Sequence, residues 1–329
     1  MQNSNRNANP PLLAVAIGDP SGVGTEIAVK ALATGEPQRR SCVMLIGNID
    51  GITETAKTCG LNLTFQRVTD PTEARAQNGA AIPVFDDAGV TMRDYTLGQP
   101  SAAGGHAASG WIDRAIAWAE AGTIDGFIIA PIDNTSFKLA GLPKPLPTMH
   151  PPNTFLLRTS GKLRFIPLGE HVMIRDIPAM VTKANVLHVT TLIDKMLRRW
   201  GVPTPRIAVA GLNPHAAGIE DADEIAPAVA EARANGLDVT GPLSPDTVFR
   251  RALHGEFDVV VAMYHDQGQI AIKTTGLEEA CAIFIGLPYV RVGTPHGSAL
   301  DIAGQNKAQH NTMLTALNAA ARLASGAGL

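Results

Sequence analysis

An α/β fold is the class this sequence predicts, and two observations carry it. Short apolar runs alternate with helical stretches along nearly the whole chain, and most of the runs end in turn residues. The composition agrees, because 32 glycines and 23 prolines in 329 residues supply the many turns that such alternation needs. Alternating strand and helix implies a largely parallel sheet with helices on both faces. Ligands of such sheets sit beyond the C-terminal ends of the strands, so chemistry is sought in the residues that follow each one.

In chain order, Met1 to Pro11 is polar and rich in Asn and Pro, without the apolar core of a signal peptide, and reads as a disordered leader. Leu12 to Ile17 is predicted as a buried strand, Gly18 to Gly24 as a turn, and Thr25 to Ala33 as the start of a helix. Further strands are predicted at Cys42 to Ile46, Phe127 to Ile132, Leu163 to Leu168, Arg206 to Leu212 and Asp258 to Met263. Pro167 makes one of these the least secure, since proline gives no N–H to a ladder. Gly110 to Ala121 sets Ile112, Ala115, Ile116 and Ala119 at helical spacing, with Ser109 as its N-cap. A second helix is predicted at Glu224 to Ala234, stopping at Asn235-Gly236. No linker stands out; Gly141 to Pro152 and Lys273 to Glu279 are the loops where domains could divide.

Several classes are excluded at this level. The length suffices for two domains with their own cores. A net charge of −3 does not suit a generic polyanion binder, so no nucleic-acid partner is expected. No window approaches ~18 uninterrupted apolar residues, so no membrane span is expected either. Cys42, Cys59 and Cys281 lie far apart, which fits a reducing cytoplasm rather than a disulfide framework.

Five places could carry chemistry. Gly18 to Glu26 (GDPSGVGTE) matches neither a P-loop nor GxGxxG, and leaves two readings: a helix N-terminus facing an anion, or a tight strand-to-helix corner. Three others each place a histidine just after a predicted strand, in Gly169-Glu170-His171, Asn213-Pro214-His215 and Tyr264-His265-Asp266. A lone histidine there is usually structural; three at one rim point to a metal, since imidazole is the commonest ligand of zinc-like ions. Asp266 could orient His265, bind the metal or act as a base. The fifth is His296 to Gly304 (HGSALDIAG). His106, His188, His254 and His310 have no motif around them and read as structural or exposed.

HGSALDIAG resembles the adenosine-binding loop of the isocitrate and isopropylmalate dehydrogenases. Six segments in order, GDPSGVGTE, GLNPHA, GPLSPDTVF, AMYHDQG, IGLPYVR and HGSALDIAG, resemble the 4-hydroxythreonine-4-phosphate dehydrogenase family from Ala14 to about Leu314. The resemblance implies a two-domain isocitrate/isopropylmalate dehydrogenase-like fold with largely parallel sheets and an interdomain cleft. The NAD-binding domain would take residues 12–125 and 274–329, and the metal, substrate and dimerisation domain residues 126–273. It further implies a homodimer whose metal site draws on both subunits.

Carried over by position, His171, His215 and His265 would hold a divalent metal, zinc being expected. Lys273, Arg291 and His150 would bind substrate, with Lys273 also in the catalytic set. Asp246 and Asp266 would transfer protons. His296, Gly297, Ser298, Ala299 and Asp301 would bind NAD, or NADP as the alternative nicotinamide. Read without the family, Lys273 and Arg291 are ordinary surface charges and Asp246 is an N-cap for Thr247 to Ala252.

Two departures bear on the substrate. Where the family has Pro-x-His-Lys this chain has Pro131-Ile132-Asp133-Asn134, and Ala282 replaces a substrate-contacting asparagine. A site built for hydrogen bonds discriminates strongly, so these losses point to a changed substrate. The expectation is an NAD-linked decarboxylating dehydrogenase of a cis-dihydrodiol of an aromatic dicarboxylate, of the terephthalate or isophthalate type, giving a catechol. The alternative is 4-hydroxythreonine-4-phosphate. Outside the class stand a phosphate acyltransferase, against which the histidines and the HGSALDIAG loop count, and a non-catalytic ligand-binding protein.

Overall fold

A computed structural model describes residues 10–76, 81–87, 89–143, 151–276 and 279–328. Most of the expected leader lies outside them. The chain forms two compact units, one running to Pro152 and resuming over Pro288–Ser325, the other formed by Asn153–Leu287 and the last residues of the chain. Among the described residues no helix is long and apolar enough to cross a membrane.

Among the described residues twelve strands follow in chain order. They are β1 (Leu12–Ala16), β2 (Cys42–Ile46), β3 (Phe65–Val68), β4 (Ile82–Phe85), β5 (Gly126–Ile129) and β6 (Phe155–Ser160). The rest are β7 (Leu163–Gly169), β8 (Ile207–Ala210), β9 (Val239–Leu243), β10 (Val259–Tyr264), β11 (Ala280–Ile285) and β12 (Val290–Gly293). In the first unit the order is β3-β4-β2-β1-β5-β12, with every pairing parallel. In the second it is β11-β6-β7-β10-β8-β9, where only β6 runs antiparallel to its neighbours. The α/β expectation therefore holds, down to the predominance of parallel pairing.

The units divide at other points than 125/126 and 273/274. β5 pairs with β1, Leu13 opposite Gly126, which keeps it in the first unit as far as the end of the Gly141 to Pro152 loop. β11 pairs with β6 from Ala280 to Ile285, which holds that stretch in the second unit. Pro167 is accommodated because the ladder from β6 to β7 ends at Phe165. The central strands read as buried apolar runs because both their faces are covered; all of β1 is buried.

Two helix boundaries move. The helix expected at Gly110 spans Ala102–Glu120, and its N-cap is Ser101, not Ser109, with the Ser101 side chain accepting from the Gly104 amide. Gly104 and Gly105 look like breakers, yet they are small for packing: a Cβ on Gly104 would lie 2.7 Å from Asp19 Oδ1 and one on Gly105 2.4 Å from the Ser136 carbonyl. The helix expected at Glu224 starts as a wide π-type turn, Asp221–Ile225, continues as Ala226–Ala234, and stops where expected, at Gly236 with φ +85°.

The Gly18–Gly24 turn is a corner. The Asp19 amide donates to the Pro131 carbonyl, the Ser21 amide to Asp19 Oδ1, the Gly22 amide to the Asp19 carbonyl and the Val23 amide to the Ser298 carbonyl. The acceptor that this turn closes around is its own aspartate side chain. Asp19 is wholly buried, and desolvation raises its carboxyl above the usual aspartate range against the pull of Ser136 and Ser21. Gly18 adopts φ +74° with the Pro131 carbonyl oxygen 2.1 Å from where a Cβ would stand. Gly18→Ala should therefore cost several kcal/mol, combining left-handed strain of ~1 kcal/mol or more with a backbone clash; a clearly lowered urea midpoint is the expected result, and an unchanged one would refute the corner's rigidity.

Candidate active site

In the second unit the sheet register builds the site. Parallel β7 and β10 pair with Tyr264 opposite Gly169, so the first residues beyond both strands emerge side by side. Those residues are Glu170 and His171 on one side, His265 and Asp266 on the other. The imidazoles of His171 and His265 lie side by side, ring centroids 5.4 Å apart and planes tilted by 42°. The ligand atoms of Glu170, His171 and His265 all lie within 4.8 Å of one another, a grouping of metal-ligating type without another like it among the described residues.

The neighbours of this cluster fix it. His265 Nδ1 is 2.6 Å from Asp266 Oδ1, which leaves Nε2 as the outward ligand atom. Of the three roles open to Asp266, orientation of His265 is the one the geometry displays. Gln267 braces the strand ends, its Oε1 accepting from the Met263 amide at 2.8 Å and its Nε2 donating to the Gly211 carbonyl at 2.9 Å. Gly268 is required by Phe165, whose ring would meet a Cβ at 2.2 Å. Arg158 grips both carboxylate oxygens of Glu170. Sequence reasoning assigned no task to Glu170, Arg158 or Gln267. The signal available was Gln267 inside the AMYHDQG segment.

His215 sits after β8, which pairs with β10, Val209 opposite Val261. It therefore leaves the same end of the sheet, but it lies outside the cluster. It is exposed, with φ +59°, and Ala216 follows at φ +55°. Buried Asp221 holds this loop, accepting from the amides of Leu212, Asn213 and Gly218 and from Asn213 Nδ2.

The remaining expected residues are placed as follows. Asp246 is exposed and accepts from Ser244 Oγ at 2.6 Å. It does not cap the helix that follows, Val248–Leu253, whose N-cap is Thr247. Lys273 is exposed near the end of the helix His265–Thr275. Arg291 is the opposite of a solvated charge: it is 0% exposed on β12, lies 5.6 Å over the Phe127 ring, and desolvation lowers its pKa to about 10 despite the neighbouring Tyr289. His150 lies outside the described residues.

In the first unit β1, β5 and β12 are neighbours, and their C-terminal turns meet. The His296–Asp301 loop is pinned there. Ser298 turns inward, its hydroxyl donating to Asp133 Oδ2 at 3.1 Å and its carbonyl accepting from Val23. Asp133 also caps the helix Asn134–Leu139 through the Ser136 amide. The His296 ring lies 2.9 Å from Thr312 Oγ1 through Nε2 and 3.0 Å from the Gly297 carbonyl through Nδ1. Ala299 is left-handed, at φ +43°. His296, Gly297 and Asp301 face solvent, so the loop offers an exposed edge on a fixed base, which suits a cofactor. Ser298 supplies the base rather than the edge.

The family model described as pyridoxal phosphate biosynthetic protein PdxA matches residues 39–320. A D-threonate 4-phosphate dehydrogenase of Cupriavidus necator is 35% identical, covering 96% of this chain and 98% of its own. The crystal structure of a 4-hydroxythreonine-4-phosphate dehydrogenase from Burkholderia phymatum superposes with a TM-score of 0.83 at 34% identity, covering 95% of this chain and 98% of its own. A terephthalate 1,2-cis-dihydrodiol dehydrogenase from Burkholderia xenovorans LB400, over the same shares of the two chains, reaches a TM-score of only 0.68 at 28% identity.

The isocitrate/isopropylmalate dehydrogenase-like fold class is thus the one found. The dihydrodiol expectation is overturned, because the chain stands nearer to enzymes named for phosphorylated threonine and threonate. It rested on Asp133-Asn134 standing where the family has His-Lys and on Ala282 standing for an asparagine; of these, Asp133 has a structural task, as a helix cap and the acceptor for Ser298. The chain belongs to the family of the pyridoxal phosphate biosynthetic protein PdxA, and the relatives it matches over nearly its whole length are named as dehydrogenases.

Proposed function

We propose that this chain is a metal-dependent, NAD-linked dehydrogenase of a four-carbon, 4-phosphorylated hydroxy acid of the threonine or threonate type. It oxidises a secondary hydroxyl and releases carbon dioxide from the carboxylate beside it. The observation that carries the reading is the pairing of His171 and His265 at the ends of β7 and β10, in a chain 35% identical over nearly its whole length to a D-threonate 4-phosphate dehydrogenase.

When bound, the ion's chemistry is Lewis-acid polarisation of the hydroxyl and then of the ketone, and the nicotinamide's is acceptance of hydride. The chain's residues do the rest. Asp266 holds His265 in the tautomer that presents Nε2. With Asp266 so engaged, Asp246 takes the hydroxyl proton, so that the C–H electrons leave as hydride and the ketone forms. The resulting 3-keto acid loses carbon dioxide, and a proton returns to the carbon. Lys273, exposed two turns beyond His265, pairs with an anionic group of the substrate. His296, Gly297, Ala299 and Asp301 line the dinucleotide in the first unit, while the second unit holds the metal. A homodimer completes the reading, since His215 stands outside its own chain's cluster and a second copy offers a route for a third imidazole.

Two tests follow. Purified protein, stripped with a chelator and then reloaded with zinc or manganese, is assayed for NADH formation with D-threonate 4-phosphate, 4-hydroxythreonine-4-phosphate and unphosphorylated D-threonate. Metal-dependent turnover of a phosphorylated substrate, with one carbon dioxide per NADH, is expected; turnover of neither, or turnover indifferent to chelation, would overturn the reading. Asp266→Asn should weaken divalent-ion affinity about 10–100-fold. His265→Ala should lower kcat/KM about 10³-fold, the equivalent of several kcal/mol of lost Lewis-acid stabilisation, and wild-type kinetics in either variant would remove these residues from the site.

A further inference from the structure

We propose that Glu170 is a carboxylate ligand of the metal centre alongside His171 and His265, and that Arg158 is the residue that positions it. The inference rests on the metal-dependent reading above and adds to it a ligand that none of the strand-end histidines supplies.

Glu170 Oε1 lies 3.7 Å from His171 Nε2. That is too long for a hydrogen bond. It is close to the separation of two ligands sharing one ion, about 3.4 Å for a tetrahedral site with bonds of ~2.1 Å. With His265 included, all three ligand atoms remain within 4.8 Å, so an ion placed among them needs shifts of only about an ångström or less. Chemistry favours the assignment too. Two neutral imidazoles bring no charge to a dication, whereas a carboxylate brings a full negative charge and a hard oxygen that broadens the range of ions accepted.

The carboxylate is also preassembled. Glu170 directly follows Gly169, the last residue of β7, so its backbone is carried by the sheet. Arg158 stands on neighbouring β6, paired with Phe165, and its guanidinium lies 5.9 Å over that ring. From there it reaches both oxygens of Glu170. A bidentate arginine uses two of the roughly four lone-pair positions of a carboxylate, and leaves the others for a cation. The Arg158 side chain is only 13% exposed and that of Glu170 26%, so the pair is held more firmly than a solvated surface bridge.

The test uses the full chain stripped of metal and titrated with Co²⁺, read by its visible ligand-field bands and by competition against a chromophoric chelator. Wild type and His171→Ala establish the centre. Glu170→Gln should bind Co²⁺ at least about tenfold more weakly and with shifted bands. Arg158→Gln, which keeps the carboxylate, should weaken binding less and leave the bands near their wild-type positions. Thermal melts check that each variant folds, and Glu170→Asp, which retains the charge, stands in should Glu170→Gln fail to fold. Unchanged affinity and bands in Glu170→Gln, with loss in His171→Ala, would overturn the assignment while the metal centre stands. Equal losses in Glu170→Gln and Arg158→Gln with unshifted bands would also overturn it, reducing Glu170 to an ion-pair partner. Absence of Co²⁺ binding by wild type would bring down the metal-dependent reading itself.

Discussion

The pairing register of β7 with β10 is the constraint on which the rest of the second unit's chemistry depends. Side chains alternate along a strand, so a slip of one residue would send every position to the opposite face. With Gly169 opposite Tyr264, two histidines far apart in sequence leave the sheet at one rim. The register is itself held by the core beneath, where Phe165, Val260, Ala262 and Ile272 pack together. Apolar burial, which has no direction of its own, thereby fixes a directional arrangement of imidazoles.

The first unit relies on buried polar groups instead. Asp19, Ser136, Asp133 and Ser298 sit where the turns after β1, β5 and β12 meet, and their hydrogen bonds tie the three turns together. Such networks specify one geometry because an unmade partner inside a low-dielectric interior is expensive. The two halves of the chemistry therefore stand on different foundations, packing under the metal-type cluster and hydrogen bonding under the HGSALDIAG loop.

Much of this was legible in the sequence because local signals coincide with burial. β1, β2 and β10 are continuous apolar runs and β7 is interrupted only by Arg164, and the histidines after β7 and β10 are visible as soon as those strands are. β3 is hidden because it is an edge strand with two exposed residues in four, and β6 because its antiparallel direction is a matter of distant partners. The site was legible to the same degree. His171 and His265 can be foreseen from position alone, but the separation of His215 from them depends on a left-handed turn that no local pattern announces. Asp133 shows the limit from the other side. One aspartate can be a missing contact or a cap, and only its neighbours in space decide between them.

The loop that carries His215 has a further consequence, thermodynamic rather than geometric. Left-handed backbone at two consecutive non-glycine residues costs of order 1–3 kcal/mol each, and Asp221 offsets that cost with hydrogen bonds from three amides and the Asn213 side chain. The expense therefore falls on folding. Whatever this imidazole later meets, an ion or a second copy of the chain, it arrives with its backbone freedom already surrendered, so that little conformational entropy remains to be lost in the encounter.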